Sequence, residues 1–208
     1  MRSVTCLLMV LSVGCSYGPR AVRPVDVDPD EAAAEAMALY DADSDGSLAG
    51  EELLGVPGVV MAMRFYDADT DGRVTQEEIR ERIAGWEDQG LGFKPMGVRV
   101  TLDGRPVADA EVKLIPEPYL GDAVKPAAGT TLPDGSANVS VKQEDLPAAL
   151  KQRGRPFYGV TGGTYKIEIT GGDTPIDPAK IDPSTPLGVE VAYDTIQTNF
   201  HLNLRSRR

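Results

Sequence analysis

The second half of the chain alternates apolar and polar residues with a period of two, which is typical of strands with one buried face. The stretch "GVRVTLDGRPV" places Val98, Val100 and Leu102 on one face and then turns at Asp103-Gly104, a dipeptide typical of tight hairpins. Five further stretches follow the same rule: "AEVKLIP", "GSANVSVK", "GGTYKIEIT", "LGVEVAYD" and "NFHLNLRS". About six or seven short strands over residues 97–208 predict an antiparallel β-sandwich.

Residues 29–86 carry helical signals instead. Asp28 can cap a helix whose first position is Pro29, where the missing N–H of proline does no harm. The alanine-rich run that follows favours a helix, and helical character continues with interruptions to about Trp86. The segment 87–96 contains glycine and proline and is interpreted as a linker. The expected fold class is therefore α+β with two domains, a small helical domain followed by the β-sandwich.

The first residues have the build of an export signal. Arg2 precedes the mostly apolar run 4–13, which is too short to span a membrane as a stable helix. The sequence "LSVGC" then resembles a bacterial lipobox, which implies cleavage before Cys15 and lipid attachment to its sulfur. A plain signal peptide cut nearby, with Cys15 incidental, is the alternative. We interpret residues 1–14 as a signal peptide and 15–28 as a tether.

Cysteine and charge content narrow the function classes. The cysteines are Cys6 and Cys15, so a chain cleaved before Cys15 has no pair for an internal disulfide. Ser16 follows the cysteine where an inner-membrane sorting signal would have aspartate, so a cell-envelope protein anchored in an outer membrane is expected. The formal net charge of −11 argues against nucleic acid as a partner, because phosphate binding needs a basic surface.

An acidic phrase occurs twice. "YDADSDGSLAGEE" begins at Tyr40 and "YDADTDGRVTQEE" begins at Tyr66, with glycine at the same place in both. Each copy resembles the twelve-residue calcium loop of EF-hand proteins, with aspartate at positions 1, 3 and 5, glycine at 6 and glutamate at 12. The resemblance predicts two bound calcium ions. The predicted ligands are Asp41, Asp43, Asp45, Ser47 (backbone carbonyl) and Glu52 in the first copy, and Asp67, Asp69, Asp71, Arg73 (backbone carbonyl) and Glu78 in the second.

The chemistry of calcium explains this spacing. The ion takes about six to eight oxygen ligands, and alternate aspartates in a curled loop direct several carboxylates at one centre. Position 6 needs a positive φ, which glycine adopts without strain. The alternative is a solvated acidic surface, although four crowded carboxylates in each loop would then repel one another. Thr75 and Glu78 can form a capping box whereas Ala49 caps poorly, so the second loop is expected to be the better ordered.

The segment between the two copies, 53–66, leaves no room for two full helices because it contains Gly55, Pro57 and Gly58. We expect a short turn near Leu54 and then a two-turn helix that carries apolar residues into the core. The residues expected there are Val60, Met63 and Phe65 or Tyr66. This compactness resembles dockerin modules and argues against a calcium sensor with an opening groove.

The β-half also resembles a known family. "VTLDGRPVADAEVKLIPEP", "TTLPDGSANVSV" and "GGTYKIEIT" are similar to the carboxypeptidase-regulatory-like (transthyretin-like) sandwich, and "IDPAKIDPSTPLGVEV" resembles a segment of bacterial EF-hand envelope lipoproteins. The resemblance implies calcium binding at the loops and no established catalytic activity. The expected function is that of a calcium-binding, lipid-anchored envelope protein with a structural or interaction role, and an envelope protein or a glycan is the possible partner.

The residues themselves also favour a non-enzyme. His201, the sole histidine, is expected on the surface of a strand, opposite the apolar residues Phe200, Leu202 and Leu204. A serine triad with a histidine base would also need His201. The alternative function is an accessory subunit or weak hydrolase of the envelope with calcium as a structural ion, since a Ser–Lys or carboxylate pair needs no recognisable motif.

Overall fold

The structure is a computed structural model that describes residues 25–90, 92–151, 157–174, 176–195 and 199–207. The predicted signal peptide 1–14 and the predicted lipidation site Cys15 lie outside the described residues. Among those residues, no helix combines the length and apolar character needed to cross a membrane. The end of the predicted tether is described, and there Val25 and Val27 pack against the hydrophobic core. This part of segment 15–28 is therefore attached to the fold and is not a free tether.

The first helix begins where the capping residue predicts. The side chain of Asp28 accepts hydrogen bonds from the backbone N–H groups of Asp30 and Glu31 at 2.9 and 3.1 Å. These bonds satisfy donors that the first helical turn leaves unpaired. The helices are α1 (Pro29–Tyr40), α2 (Pro57–Met61), α3 (Met63–Tyr66), α4 (Gln76–Asp88) and α5 (Ala148–Lys151), and a 3-10 turn occupies Glu52–Gly55.

The segment between the acidic copies is compact, as predicted, but its helix is broken. Helices α2 and α3 are separated at Ala62, whose φ of −107° and ψ of 14° leave the α-helical region. The buried side chains of this segment are Val56, Val59, Ala62 and Tyr66. Val60, Met63 and Phe65 are only partly buried, because the break turns a different face toward the core.

The predicted strands are present, and most of them alternate buried and more exposed residues as expected. The strands are β1 (Ser47–Leu48), β2 (Val74–Thr75), β3 (Phe93–Lys94), β4 (Met96–Leu102), β5 (Arg105–Pro106), β6 (Ala110–Pro116), β7 (Ala127–Thr130), β8 (Ser136–Val141), β9 (Val160–Thr161), β10 (Gly163–Gly171), β11 (Gly188–Val191) and β12 (Asn199–Leu204). The predicted hairpin at Asp103-Gly104 is confirmed, with φ of 50° and 81° at its two central residues. These positive values are those of the tight turns that match strand twist.

The main sheet contains eight strands in the order β11-β10-β6-β7-β8-β4-β12, with β5 paired to β4. The sheet curls into a sandwich-like layer around buried side chains such as Val100, Val112 and Leu114. The prediction of a wholly antiparallel sandwich is wrong in one respect, since β12 runs parallel to β4. The cause is topological: β11 and β12 lie at opposite ends of the strand order, so a crossover and not a hairpin connects them.

The interpretation of residues 87–96 as a linker is wrong as well, because most of this segment belongs to a helix or to strands. Helix α4 continues to Asp88, Phe93 and Lys94 form β3 against β9, and Met96 is already buried in β4. The ring of Phe93 lies 5.9 Å from that of Phe157 in an edge-to-face arrangement, and this aromatic contact joins β3 to the residues that precede β9.

The helical part and the sheet share one hydrophobic core. Helix α2 lies on β10 and β11, and its Gly58 meets the backbone of Tyr165 and Val189. Buried residues from both parts belong to a single contiguous cluster. The helical part is therefore attached to the sheet by a continuous packed surface. The expectation of two domains joined by a linker did not include this contact.

Candidate metal centre

The first acidic copy forms a loop, loop 1 (residues 41–52), whose carboxylates converge. One oxygen from each of Asp41, Asp43 and Asp45 lies within 4.8 Å of the others. Asp41 closes the loop because its two oxygens accept hydrogen bonds from the backbone N–H groups of Asp45, at 3.1 Å, and Gly46, at 3.0 Å. The φ of Gly46 is +89°, a conformation that glycine adopts without strain.

The second copy, loop 2 (residues 67–78), repeats this geometry. Asp67, Asp69 and Asp71 again bring carboxylate oxygens within 4.8 Å of one another. Asp67 accepts from the backbone N–H groups of Asp71, at 3.0 Å, and Gly72, at 2.9 Å, and the φ of Gly72 is +84°. Two segments separated in sequence therefore fold into the same carboxylate-lined turn.

A glutamate closes the far end of each loop. The carboxylate of Glu52 accepts hydrogen bonds from the backbone N–H groups of Ala42 and Ala49, at 2.8 and 3.0 Å. Glu78 accepts in the same way from Ala68, at 2.9 Å, and Thr75, at 2.8 Å. These bonds fix the glutamate at the end of each loop, while the carboxylate oxygens that converge within 4.8 Å are those of the three aspartates.

The two loops differ in the helical element that succeeds each of them along the chain. Thr75 and Glu78 form the predicted capping box at the start of α4, which runs for 13 residues. Loop 1 leads only into a 3-10 turn of 4 residues that has no side-chain cap. The expectation that loop 2 is the better ordered stays a prediction, and this difference in helical support gives its physical reason.

The loops meet back to back through their eighth positions. Strands β1 and β2 pair antiparallel, with Ser47 opposite Thr75 and Leu48 opposite Val74. The side chains of Leu48 and Val74 are fully buried. This pairing fixes the two acidic loops relative to each other.

The side chain of Arg73 connects the two loops through a contact that was not predicted from the sequence. Its Nε donates to the Ser47 hydroxyl at 2.8 Å, and its guanidinium contacts the carboxylate of Asp45. Hydrogen bonds from the Ser47 hydroxyl and from Arg73 lower the pKa of Asp45 below its usual value. The signal for this contact is the equal spacing of the repeat, since Ser47 and Arg73 occupy the same position in the two paired loops.

The donor set fits a hard divalent cation. Each loop offers carboxylate oxygens and no histidine or cysteine, and oxygen-only sites suit calcium or magnesium more than zinc or copper. His201 lies on β12 with its side chain exposed, while Leu202 and Leu204 are buried, as the alternation predicts. It takes no part in this centre.

Comparisons with known proteins add little to this geometry. No family model matches the chain, and no curated protein matches it. Among solved structures, the chain is similar to a DUF3823 family protein from Parabacteroides merdae ATCC 43184, with 13% sequence identity and a TM-score of 0.30. That match covers 56% of this chain and 46% of the other, so this chain spans less than half of that protein. A likeness this partial carries no argument about binding or activity.

Proposed function

We propose that this protein binds two calcium ions, one in loop 1 and one in loop 2, and serves as a structural or interaction module of the cell envelope. The observation that supports the proposal is the duplicated geometry. In both loops three aspartate carboxylates converge, the first aspartate accepts from the backbone at positions 5 and 6, and a glycine at position 6 has a left-handed φ. The spacing is that of the EF-hand loop.

The proposed ligands are chemically uniform. They are the carboxylates of Asp41, Asp43, Asp45 and Glu52 with the carbonyl of Ser47, and those of Asp67, Asp69, Asp71 and Glu78 with the carbonyl of Arg73. A bound calcium ion would supply two positive charges to each cluster and so relieve the repulsion among four carboxylates. Backbone hydrogen bonds to the first aspartate of each loop fix the loop conformation and support this proposal.

Calorimetric titration with calcium tests the proposal directly. We expect two ions per chain and, in a calcium-rich exterior, dissociation constants on the order of 10⁻⁴ to 10⁻³ M. Glu78→Gln should abolish one site and Glu52→Gln the other. Glu87→Gln, which removes the same charge from an exposed position of α4, should leave both sites intact. An isotherm without binding heat, or two sites surviving in either loop variant, would refute the assignment.

Chelation should also lower thermal stability. An ion that binds only the folded loop stabilises the protein by about 2.7 kcal/mol at a hundredfold excess over its dissociation constant. At this chain length each kcal/mol corresponds to roughly 2–4 °C in melting temperature. Removing calcium from one such site should therefore lower the melting temperature by about 5–10 °C.

The envelope location rests on the residues that precede the described part of the chain. The apolar run before "LSVGC" supports export, cleavage and lipid attachment at Cys15. Mass spectrometry of the native N-terminus tests this, and an unmodified terminus at a different residue would refute it. A pull-down from detergent-solubilised envelope, with and without a chelator, is the experiment that would identify a protein or glycan partner.

A further inference from the structure

One helix joins loop 2 to the main sheet. Glu78, the last residue of loop 2, lies in the first turn of α4, and Arg82 and Trp86 follow at intervals of four residues on the same helix. Residues four apart on a helix lie on one face. The face of α4 that begins in the acidic loop therefore ends on the sheet.

The contact with the sheet is a hydrogen-bonded ion cluster built on the buried pair Arg82–Glu190, with the more exposed Asp194 at its edge. Arg82 donates from Nε and Nη2 to the two carboxylate oxygens of Glu190 in β11, at 2.8 and 2.6 Å. Its Nη1 and Nη2 donate to Asp194 at 2.8 and 2.7 Å. The indole N–H of Trp86 donates to Glu190 at 3.2 Å. The guanidinium also lies 4.6 Å from the centre of the Phe65 ring, which precedes loop 2.

Burial makes this cluster sensitive to its geometry. The side chain of Glu190 is 0% exposed and that of Arg82 is 7% exposed, while Asp194 is 36% exposed. Removing or displacing one partner of a buried pair leaves the other charge without compensation, which is strongly unfavourable. A movement of α4 away from β11 therefore breaks several charged hydrogen bonds at once.

Loop 1 is connected to the β-half in a similar way. Tyr40, the residue before the first ligand of loop 1, donates its hydroxyl to Glu117 at 2.8 Å. The side chain of Glu117 is 0% exposed, and the ammonium group of Lys166 lies 3.6 Å from the same oxygen. Each acidic loop is thus joined to a buried glutamate of the β-half that is paired with a cation.

We propose that ion binding in loop 2 and docking of α4 on β11 are coupled through Glu78, Arg82 and Glu190, an inference that rests on the proposed calcium function. An ion that fixes Glu78 fixes the start of α4, and the capped helix carries this constraint two turns along to Arg82 and Trp86. Coupling between two sites is reciprocal. A weakened junction must therefore lower the affinity of loop 2 by the same factor by which calcium strengthens the junction.

Calorimetry on the full-length chain tests the coupling. Glu52→Gln serves as the background, so that the isotherm reports loop 2 alone. Adding Asp194→Asn or Glu190→Gln should weaken calcium binding by about fivefold or more, whereas adding the exposed Glu87→Gln should not change it. Asp194→Asn leaves the buried Arg82–Glu190 pair in place and serves if Glu190→Gln fails to fold, as judged by circular dichroism.

Fluorescence of the sole tryptophan, Trp86, provides the second readout. Because Trp86 lies in the junction, chelation of calcium from the wild type should shift its emission to longer wavelength, and Glu78→Gln should reproduce the shift in the presence of calcium. Two bound ions with unchanged Trp86 emission and unchanged affinity in Asp194→Asn would overturn the coupling and leave the calcium proposal intact. An isotherm without binding in the wild type would overturn both.

Discussion

Substituting Gly188 by alanine should separate helix α2 from the sheet. Gly188 lies at the start of β11, directly against the N-terminus of α2. A Cβ atom at this position would lie 2.2 Å from both the backbone nitrogen of Gly58 and the carbonyl carbon of Pro57, where ordinary contacts are 3.4–4 Å. The obstructing atoms belong to backbone, so no side-chain rotation can relieve the clash.

The size of the effect depends on which atoms have to move. The two backbones must part by more than about 1 Å, and this separation loosens the contact of Gly58 with Tyr165 and Val189 and the packing of the buried Val59. Overpacking of a well-packed core destabilises by about 1–3 kcal/mol. Because both surfaces are backbone, we expect the upper end, about 3 kcal/mol, or roughly 6–12 °C in melting temperature at this chain length.

Thermal and urea unfolding of the full-length chain, followed by circular dichroism and Trp86 emission, measure this effect. Gly85→Ala provides the matched control, since Gly85 lies inside α4 and a Cβ there meets nothing within 4 Å. That substitution should stabilise by about 0.5–1 kcal/mol through helix propensity. If Gly188→Ala melted at the wild-type temperature, α2 could not lie on β11 as described.

Two further predictions concern charged groups. Burial raises the pKa of the Glu117 carboxyl above its ordinary value of 4.5. The folded state therefore gains stability from the protonated form at pH values below about 4.5, and it loses this contribution as the pH rises through the folded-state pKa. When urea unfolding is measured between about pH 4 and 7, the free energy of unfolding of the wild type should fall relative to that of Glu117→Gln. A difference between the two free energies that does not change with pH would contradict this prediction. Arg73→Gln removes a cation from the carboxylate of Asp45, so calorimetry should show tighter calcium binding in loop 1; unchanged or weaker binding would argue against competition between the guanidinium and the ion.

The strands and the turns could be predicted because their signals are local. Val98 and Val100 alternate with polar residues on one strand, and Asp103-Gly104 supplies the two positive φ angles of the next turn within the same short stretch. Likewise, each acidic loop is closed by hydrogen bonds that span at most ten residues, from Glu52 to Ala42 and from Glu78 to Ala68. Patterns of this range are fully present in the linear sequence.

Pairings between distant segments were not predictable in the same way. A strand of two residues, such as β3 at Phe93–Lys94, is too short to show a period, so the segment resembles a linker. The direction of β12 beside β4 depends on the path of the chain across the sheet and not on the alternation within either strand. Glu190 lies in a strand in which all four residues are buried, and its burial is possible only because Arg82, 108 residues away, neutralises it.

The contacts between distant segments change the effect that calcium is expected to have on the fold. From the sequence, the small size of the segment 30–86, its two acidic loops and the separate alternating core of the sandwich predict that calcium orders the helical part while the sheet folds independently. The shared core and the buried contacts of Arg82 with Glu190 and of Tyr40 with Glu117 connect each loop to the sheet. A loop that loses its ion would strain these contacts, because a buried carboxylate cannot be separated from its partner without a large penalty. Both halves of the chain should therefore respond to chelation, and the sheet should respond most at β11, where α2 and α4 both meet it.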